Sequence, residues 1–348
     1  MQTIRLSIRL EDAGPEHPAI ARAAEILKRG GLVAIPTETV YGLAANALDP
    51  SAVGAIFAAK ERPLWDPLIV HIASREMLPM IASSFPERAR MLADRFWPGP
   101  LTLLLPRAET LPLAVTAGRP QVAVRMPAHP VAEALLRACG LPLAAPSANL
   151  FGHTSPTSAE HVLRDLDGRI DAVLDAGESR VGVESTVLDV LRDPPLLLRP
   201  GGTTRERLEE MLGKIEIYQP PPDQSPQALA SPGLAVRHYA PRAKLVLVEG
   251  SEAAFQQELR VRVQYAKDTG EYVGAMAPEG WITPELVAGG GLVLYDWGPW
   301  ADWNILAQRL FAGIRYLDKP GVSVLVCPLP EDEALGQALR DRLLKAAK

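Results

Sequence analysis

Ala34 to Ala44 read A-I-P-T-E-T-V-Y-G-L-A, and Ala59 to His71 read A-K-E-R-P-L-W-D-P-L-I-V-H. The first stretch begins inside an apolar strand, Leu32 to Ile35, and breaks at Pro36 into a turn rich in hydroxyls. The second is the end of a short helix, which delivers Lys60 and Arg62 beside another apolar strand, Leu68 to His71. Strand, polar turn, helix and strand again are the units of an α/β domain. Hydroxyls set beside paired cations suit a pocket for an amino acid next to a polyphosphate.

Each residue alone has an ordinary explanation. Thr37 and Thr39 serve equally well as turn and capping hydroxyls, and Lys60 with Arg62 as a solvated helix end. Their joint occurrence argues for a site.

Outward from these motifs the alternation continues. Helices are expected over Pro18 to Arg29, Ser51 to Lys60, Arg75 to Ala82, Pro86 to Arg95, Pro130 to Cys139, Ser158 to Leu166 and Thr204 to Leu212. Strands are expected over Ile4 to Ile8, Leu101 to Leu105, Val122 to Arg125, Leu143 to Ala145, Ala172 to Asp175, Ser185 to Asp189 and Leu196 to Leu198. From Ile217 to Arg242 the texture changes, because Pro220, Pro221, Pro222, Pro226, Pro232 and Pro241 forbid a continuous helix or central strand. With 348 residues, two domains are the default, so the boundaries fall at 1–216, 217–242 for the linker, and 243–348. Strands at Leu245 to Val248, Tyr272 to Met276, Leu292 to Tyr295 and Ser323 to Cys327 alternate there with helices near Glu252 to Lys267, Asp302 to Leu317 and Asp332 to Lys345, a small βαβ arrangement. Gly289-Gly290-Gly291 precedes a strand with no helix after it and reads as a turn, not a phosphate loop. Trp297, Trp300 and Trp303 read as packing residues.

Hydrophobic residues make up 47% and charged residues 22%, which describes a folded chain and not a disordered one. A net charge of -5 offers no global attraction to nucleic acid, so any anion site is a local cluster. Cys139 and Cys327 sit far apart in apolar runs, as buried thiols of a reducing compartment do. No C-x-x-C or H-E-x-x-H occurs, which argues against a zinc site, and no metal ligand set is assigned. Met1 to Glu11 reads as a first strand, not a signal peptide, and no apolar stretch nears the roughly 20 residues that cross a bilayer. A cytoplasmic location without membrane contact is expected.

Four further motifs place a polar or cationic residue at the mouth of an apolar strand, where open α/β sheets bind ligands. They are Val122-Ala123-Val124-Arg125, Ala145-Pro146-Ser147-Ala148-Asn149, Glu184-Ser185-Thr186-Val187 and Leu198-Arg199-Pro200-Gly201. With these in place, the chain resembles the two-domain threonylcarbamoyl-AMP synthases over nearly its whole length. The likeness rests on Lys60-x-Arg62 with Ser147-x-Asn149, the P-T-E-T-V-Y-G turn, Ser231-Pro232-Gly233, and Arg237-His238-Tyr239-Ala240-Pro241.

The resemblance implies a YrdC-like open twisted mixed sheet with helices, followed by a small Rossmann-like βαβ domain. It implies the joining of L-threonine, bicarbonate and ATP into threonylcarbamoyl-AMP with release of pyrophosphate. The product feeds the downstream transferase machinery that modifies the adenosine beside the anticodon of tRNA, and a weak direct contact with tRNA is a further expectation. By position in the family motifs, Lys60, Arg62 and Arg199 hold the phosphates, as catalytic cations in the case of Lys60 and Arg62. Ser147, Asn149 and Ser155 complete the ATP site, with lesser parts for Asp66 and Tyr239. Threonine falls to Thr39, His71, Arg125, the backbone at Ala145, and Ser185. Arg125 suits the amino-acid carboxylate because a planar guanidinium grips it with two parallel hydrogen bonds. The absence of a Walker A sequence excludes a P-loop, and magnesium is expected to arrive on the phosphates of ATP without a dedicated protein ligand. In the family the Arg237-His238-Tyr239 segment folds over the cleft, which implies a lid that keeps water from the acyl-adenylate. An RNA-binding module of the same fold without adenylate synthesis is the alternative, disfavoured by the net acidity and the lack of an RNA-reading aromatic motif. The carbamoyl transfer of hydrogenase-maturation proteins is a weaker one, since the zinc-finger cysteines and acylphosphatase segment of those proteins are absent from this sequence.

Overall fold

Short, fully buried apolar strands separated by helices assemble into a mixed sheet of eleven strands. The computed structural model describes residues 2–219, 238–288 and 290–348. Ser231-Pro232-Gly233, Arg237 and Gly289, together with most of the Pro-rich stretch, lie outside the described residues. In chain order the first part comprises β1 (Ile4–Ser7), α1 (Pro18–Lys28), β2 (Val33–Ile35), β3 (Gly42–Asn46), α2 (Pro50–Lys60), β4 (Ile69–His71), α3 (Glu87–Phe96), β5 (Leu101–Pro106), β6 (Gln121–Arg125), α4 (Pro130–Cys139), β7 (Leu143–Ala144), α5 (Ala159–Leu166), β8 (Ala172–Asp175), β9 (Thr186–Asp189), β10 (Leu196–Arg199), α6 (Arg205–Leu212) and β11 (Glu216–Ile217). Across the sheet the order is β1-β8-β2-β3-β7-β4-β6-β5-β9-β10-β11.

Local chemistry explains the main boundaries. Asp49 caps α2 by accepting from the backbone of Ser51 and Ala52, and Pro50 supplies the preset φ of a first helical residue. The helix stops at Lys60 because Glu61 turns left-handed, at φ 53°, and the chain turns so as to present Lys60 and Arg62. α1 and α4 cover one part of the sheet through Ile20, Leu27, Leu135 and Leu136. A larger core gathers Val53, Ile56, Leu92, Leu103, Val124 and Leu188. A third, smaller cluster of Ile69, Leu104, Ala123, Val187, Leu196 and Leu198 forms the apolar floor of the functional face.

Several elements depart from expectation, among them the short helix Pro284–Ala288. Arg75–Met80 is a 3-10 helix, not an α-helix, with Pro79 inside it denying the backbone an N–H. β3 was not expected, since Gly42-Leu-Ala-Ala-Asn46 carries no β-branched residue; it forms because its backbone pairs with β2 on one side and β7 on the other. β11 ends at Ile217, the first residue of the expected linker, and pairs in parallel with β10.

A division by contacts gives two units. The second unit takes the short loops Gly152–Thr154 and Val181–Val183 together with the C-terminal stretch. It contains β12 (Lys244–Val248), α7 (Glu252–Thr269), β13 (Tyr272–Pro278), α8 (Pro284–Ala288), β14 (Leu292–Gly298), α9 (Trp303–Leu317), β15 (Val322–Pro328) and α10 (Gly336–Ala346). The sheet is parallel throughout, in the order β12-β15-β13-β14. Trp297 is fully buried, and its Nε1 donates to Leu306 O at 2.8 Å. Trp300 packs against Trp281, Trp297 and Trp303, so the tryptophans are packing residues of this unit.

Candidate functional site

The register of the large sheet sets His71, Arg125 and Thr102 side by side, because His71 is opposite Arg125 across β4 and β6, and Arg125 opposite Thr102 across β6 and β5. Opposed residues share a face, so one rim of the sheet carries an imidazole, a guanidinium and a hydroxyl above the apolar floor. Thr102 in turn lies opposite Val187, and Val187 opposite Arg199. Polar residues from four distant stretches thus reach one face through strand pairing alone.

At one end of this row the Thr-rich turn locks itself. Thr37 Oγ1 accepts from the backbone N–H of Thr39 and Val40, at 3.2 Å each, and donates to Val40 O at 2.6 Å. With its only proton committed there, Thr37 accepts from Thr39 Oγ1 at 2.9 Å. Thr39 Oγ1 in turn accepts from Arg125 Nη1 at 2.8 Å, while Arg125 Nε donates to Gly99 O at 3.2 Å. Glu38 Oε1 lies 2.7 Å from Arg125 Nη2, with both side chains buried. Beside them, burial, and then the charge of Arg125, push the His71 imidazole down to about 3, so it is neutral near pH 7. Burial also pushes His129 down to about 4, partly opposed by Glu38.

At the other end, Thr102 Oγ1 and Ser185 Oγ are 2.7 Å apart. Arg199 straps this segment down: its Nε and Nη2 donate to Ser185 O at 3.1 and 2.9 Å, and Nη2 also to Ser185 Oγ at 3.2 Å. Ser155 Oγ donates to Glu184 Oε1 at 2.6 Å.

The Lys-x-Arg turn supplies a third group. Lys60 is 1% exposed, and its ammonium donates to Ser147 O and Asn149 O, tying the helix end to the Pro-Ser-Ala-Asn turn. Burial first, then the neighbouring Arg62, hold Lys60 well below its ordinary pKa, with Asp66 and Asp165 pulling it back. Arg62 donates to Asp66 O and Pro67 O and pairs with the Asp66 carboxylate at 3.0 Å. Burial raises Asp66, against the opposing charges of Arg62, Lys60 and Arg199. Lys60, Arg62 and Arg199 all act on one carboxylate and therefore share one neighbourhood. Buried and bonded in this way, Lys60 and Arg62 are not the solvated end of a helix; Thr37 is a turn hydroxyl, while Thr39 also reaches Arg125.

The structure brings Thr39, His71, Arg125, Ser185 and Arg199 onto one sheet rim. It groups Lys60, Arg62, Asp66, Ser147 and Asn149 around the turn after α2. Ala145 N donates to Ile69 O at 2.9 Å, which places that backbone beside β4, and Ser155 is fully buried against Glu184. Tyr239 lies in the second unit, with φ 63°, stacked on Phe311 at 5.5 Å and accepting at its carbonyl from Thr154 Oγ1 at 3.1 Å. Glu38, Thr102 and Glu184 also contact these residues, and the sequence reading gives them no role. Glu38 stands inside the quoted turn, and Thr102 is a lone hydroxyl in the run L-T-L-L-L, which was a usable signal.

Comparisons with known proteins identify the family. A family model described as telomere recombination matches residues 25–201, and one described as the C-terminal domain of threonylcarbamoyl-AMP synthase matches residues 203–348. Threonylcarbamoyl-AMP synthase from Pyrococcus abyssi is 45% identical, over 95% of each chain. That from Bacillus subtilis is 44% identical, over 97% of this chain and 95% of the relative. The crystal structure of Pyrococcus abyssi Sua5 complexed with L-threonine superposes with a TM-score of 0.89 at 42% identity, covering 100% of this chain and 98% of that one. With matches along the whole length, the chain belongs to the threonylcarbamoyl-AMP synthases, transferases that form threonylcarbamoyl-AMP for the threonylcarbamoyladenosine modification of tRNA.

Proposed function

We propose that the sheet rim and the turn after α2 together form the site where L-threonine, bicarbonate and ATP become threonylcarbamoyl-AMP and pyrophosphate. The observation that carries this reading is the contact chain from Thr39 through Arg125 to Thr102, Ser185 and Arg199, with Arg199 felt by the same Asp66 that Lys60 and Arg62 face. A threonine carbamate and a triphosphate repel each other. One ion pair at about 4 Å contributes on the order of 4 kcal/mol at an effective dielectric of about 20, before desolvation is subtracted. Several cations along one rim therefore offset a large repulsion, as in other transfers that rely on positioning and charge.

In this reading Lys60, Arg62 and Arg199 hold the phosphates, and Ser147, Asn149, Ser155 and Tyr239 the rest of ATP, with Asp66 setting the orientation of Arg62. Arg125 takes the threonine carboxylate, with Thr39, His71, Ser185 and the Ala145 backbone around the remaining atoms. The bound threonine of the Pyrococcus abyssi protein supports such a pocket in this chain. Magnesium supplies neutralising charge on the phosphates. Among the described residues no group of three or more His, Cys, Asp or Glu could hold a metal, and Asp66 is engaged by Arg62, so the donor set fits a cation carried by phosphate oxygens and water.

Assaying pyrophosphate release with threonine, bicarbonate and ATP omitted in turn tests the reaction. Release is expected only with all three. Release that persists without threonine would overturn it, and tight salt-sensitive tRNA binding with no release would favour an RNA-binding module instead.

The same proposal assigns 1–216 to catalysis, 217–242 to a linker acting as a lid, and 243–348 to a C-terminal Rossmann-like domain. It places the enzyme in the cytoplasm, handing its product to a tRNA-modifying transferase; no helix among the described residues is long and apolar enough to cross a membrane. Truncation after Met211 should weaken ATP binding and shorten the life of the adenylate. Unchanged values of both would remove the lid.

A further inference from the structure

Glu38 is 3% exposed, and among the described residues neither of its carboxylate oxygens accepts a directed hydrogen bond. The near charge is Arg125 Nη2, 2.7 Å from Oε1, yet that nitrogen also makes no directed hydrogen bond. The two groups are held together by charge while each keeps its hydrogen-bonding capacity: acceptor lone pairs on Glu38, N–H bonds on Arg125. Buried polar groups are ordinarily satisfied, and a buried carboxylate that is ion-paired but accepts no directed hydrogen bond is among the more costly exceptions. His129, the charged carboxylate's other ionisable neighbour, is neutral near pH 7 and its Nδ1 also has no directed partner.

Nothing about Glu38 is loosely placed. The Thr37 turn fixes the backbone on its C-terminal side, and Thr39, the next residue, is pinned to the same guanidinium through Nη1. The carboxylate and the guanidinium therefore present one acceptor surface and one donor surface, side by side and both buried. A free α-amino acid offers the complement: a carboxylate to accept and an ammonium to donate, joined through one carbon.

We propose that Glu38 holds the α-ammonium of threonine while Arg125 holds its carboxylate, so that the pair reads the zwitterion. The inference rests on the placement of threonine at this rim. It assigns Glu38 a specificity role: the site distinguishes an amino acid from the corresponding hydroxy acid, because only the ammonium satisfies both the charge and the lone pairs of Glu38. Losing such a charged contact leaves a buried anion without its donor.

The test is equilibrium binding of two ligands to the full chain without ATP: L-threonine, and the hydroxy acid in which hydroxyl replaces the α-amino group. Wild type should prefer threonine by about tenfold or more, the range of a charge-assisted contact. In Glu38→Gln, threonine affinity should fall by about tenfold or more while hydroxy-acid affinity changes little, and Glu38→Asp should recover part of the preference. Arg125→Lys should weaken both ligands together. Wild type that binds the two equally, or a Glu38→Gln variant that retains the preference, would overturn the inference even if the variant folds poorly in other respects. If Glu38→Gln is silent while Arg125→Lys weakens both ligands, the Glu38 assignment alone falls. If neither variant alters threonine binding, the placement of threonine falls with it.

Discussion

At the scale of single residues, burial changes the chemistry of the side chains it brings together. His71 binds a proton at about 3 in the fold, against 6.5 for an unhindered imidazole. Between those values the unfolded chain carries a proton there that the folded chain does not, so stability is full above about pH 6.5 and declines as pH falls toward 3. Each pH unit inside the window corresponds to about 1.4 kcal/mol for one such group. Urea unfolding at pH 7 and pH 5 should show wild type losing about 1 to 2 kcal/mol more than His71→Gln over that interval. Parallel losses in the two proteins would mean that His71 titrates normally. His129 acts in the same direction and remains in both proteins. Arg125 and Arg199 stand out in the sequence because a charge at the end of an apolar strand is unusual, and Lys60 and Arg62 because two cations follow a short helix directly before another apolar strand. Glu38 and Glu184 did not, since a carboxylate in a polar turn resembles any solvated one until a guanidinium or a serine hydroxyl is found against it.

Elements explain why residues so far apart in sequence come into hydrogen-bonding contact. Gly201 follows β10, and a Cβ built on it would lie 2.3 Å from Glu184 O and 2.5 Å from Thr186 N. The chain after Arg199 therefore passes in van der Waals contact with the backbone of the Ser185 segment, which explains how Arg199 can grip Ser185 O with two nitrogens. Gly201→Ala should push these strands apart. A loss of about 1 to 3 kcal/mol is expected from such overpacking, with threonine-dependent pyrophosphate release falling more than stability alone explains; a variant with wild-type activity and melting temperature would show that the close approach is unimportant. The helices with clear caps and the strands of continuous apolar residues were legible, α2 with its Asp49-Pro50 start among them. β3 was not, because Gly42 to Asn46 owes its strand form to partners on both sides and not to its own residues. The helix expected over Arg75 to Ala82 is a 3-10 helix over Arg75–Met80, where Pro79 has no N–H to give.

Across the whole molecule, the second unit is not simply the chain after the Pro-rich stretch. It includes Val181–Val183, three residues from between β8 and β9, and no local pattern could have revealed this because it depends on contacts at long sequence separation. Gly182, at φ 77°, shows how tight the attachment is: a Cβ there would lie 2.3 Å from both Ala307 O and Gln308 Cα of α9. Both the left-handed backbone and the collision forbid a branched side chain. Four of the six tryptophans, Trp281, Trp297, Trp300 and Trp303, belong to this unit, so tryptophan fluorescence mainly reports its unfolding. Gly182→Val should destabilise that reported transition by about 2 to 4 kcal/mol, the range of severe steric substitutions, and shift its urea midpoint down by about 1 M or more. Far-ultraviolet circular dichroism, which averages both units, should shift less if they unfold separately and equally if they unfold as one. An unshifted tryptophan midpoint would mean that α9 does not depend on the loop before β9, and that the second unit stands on the C-terminal stretch alone.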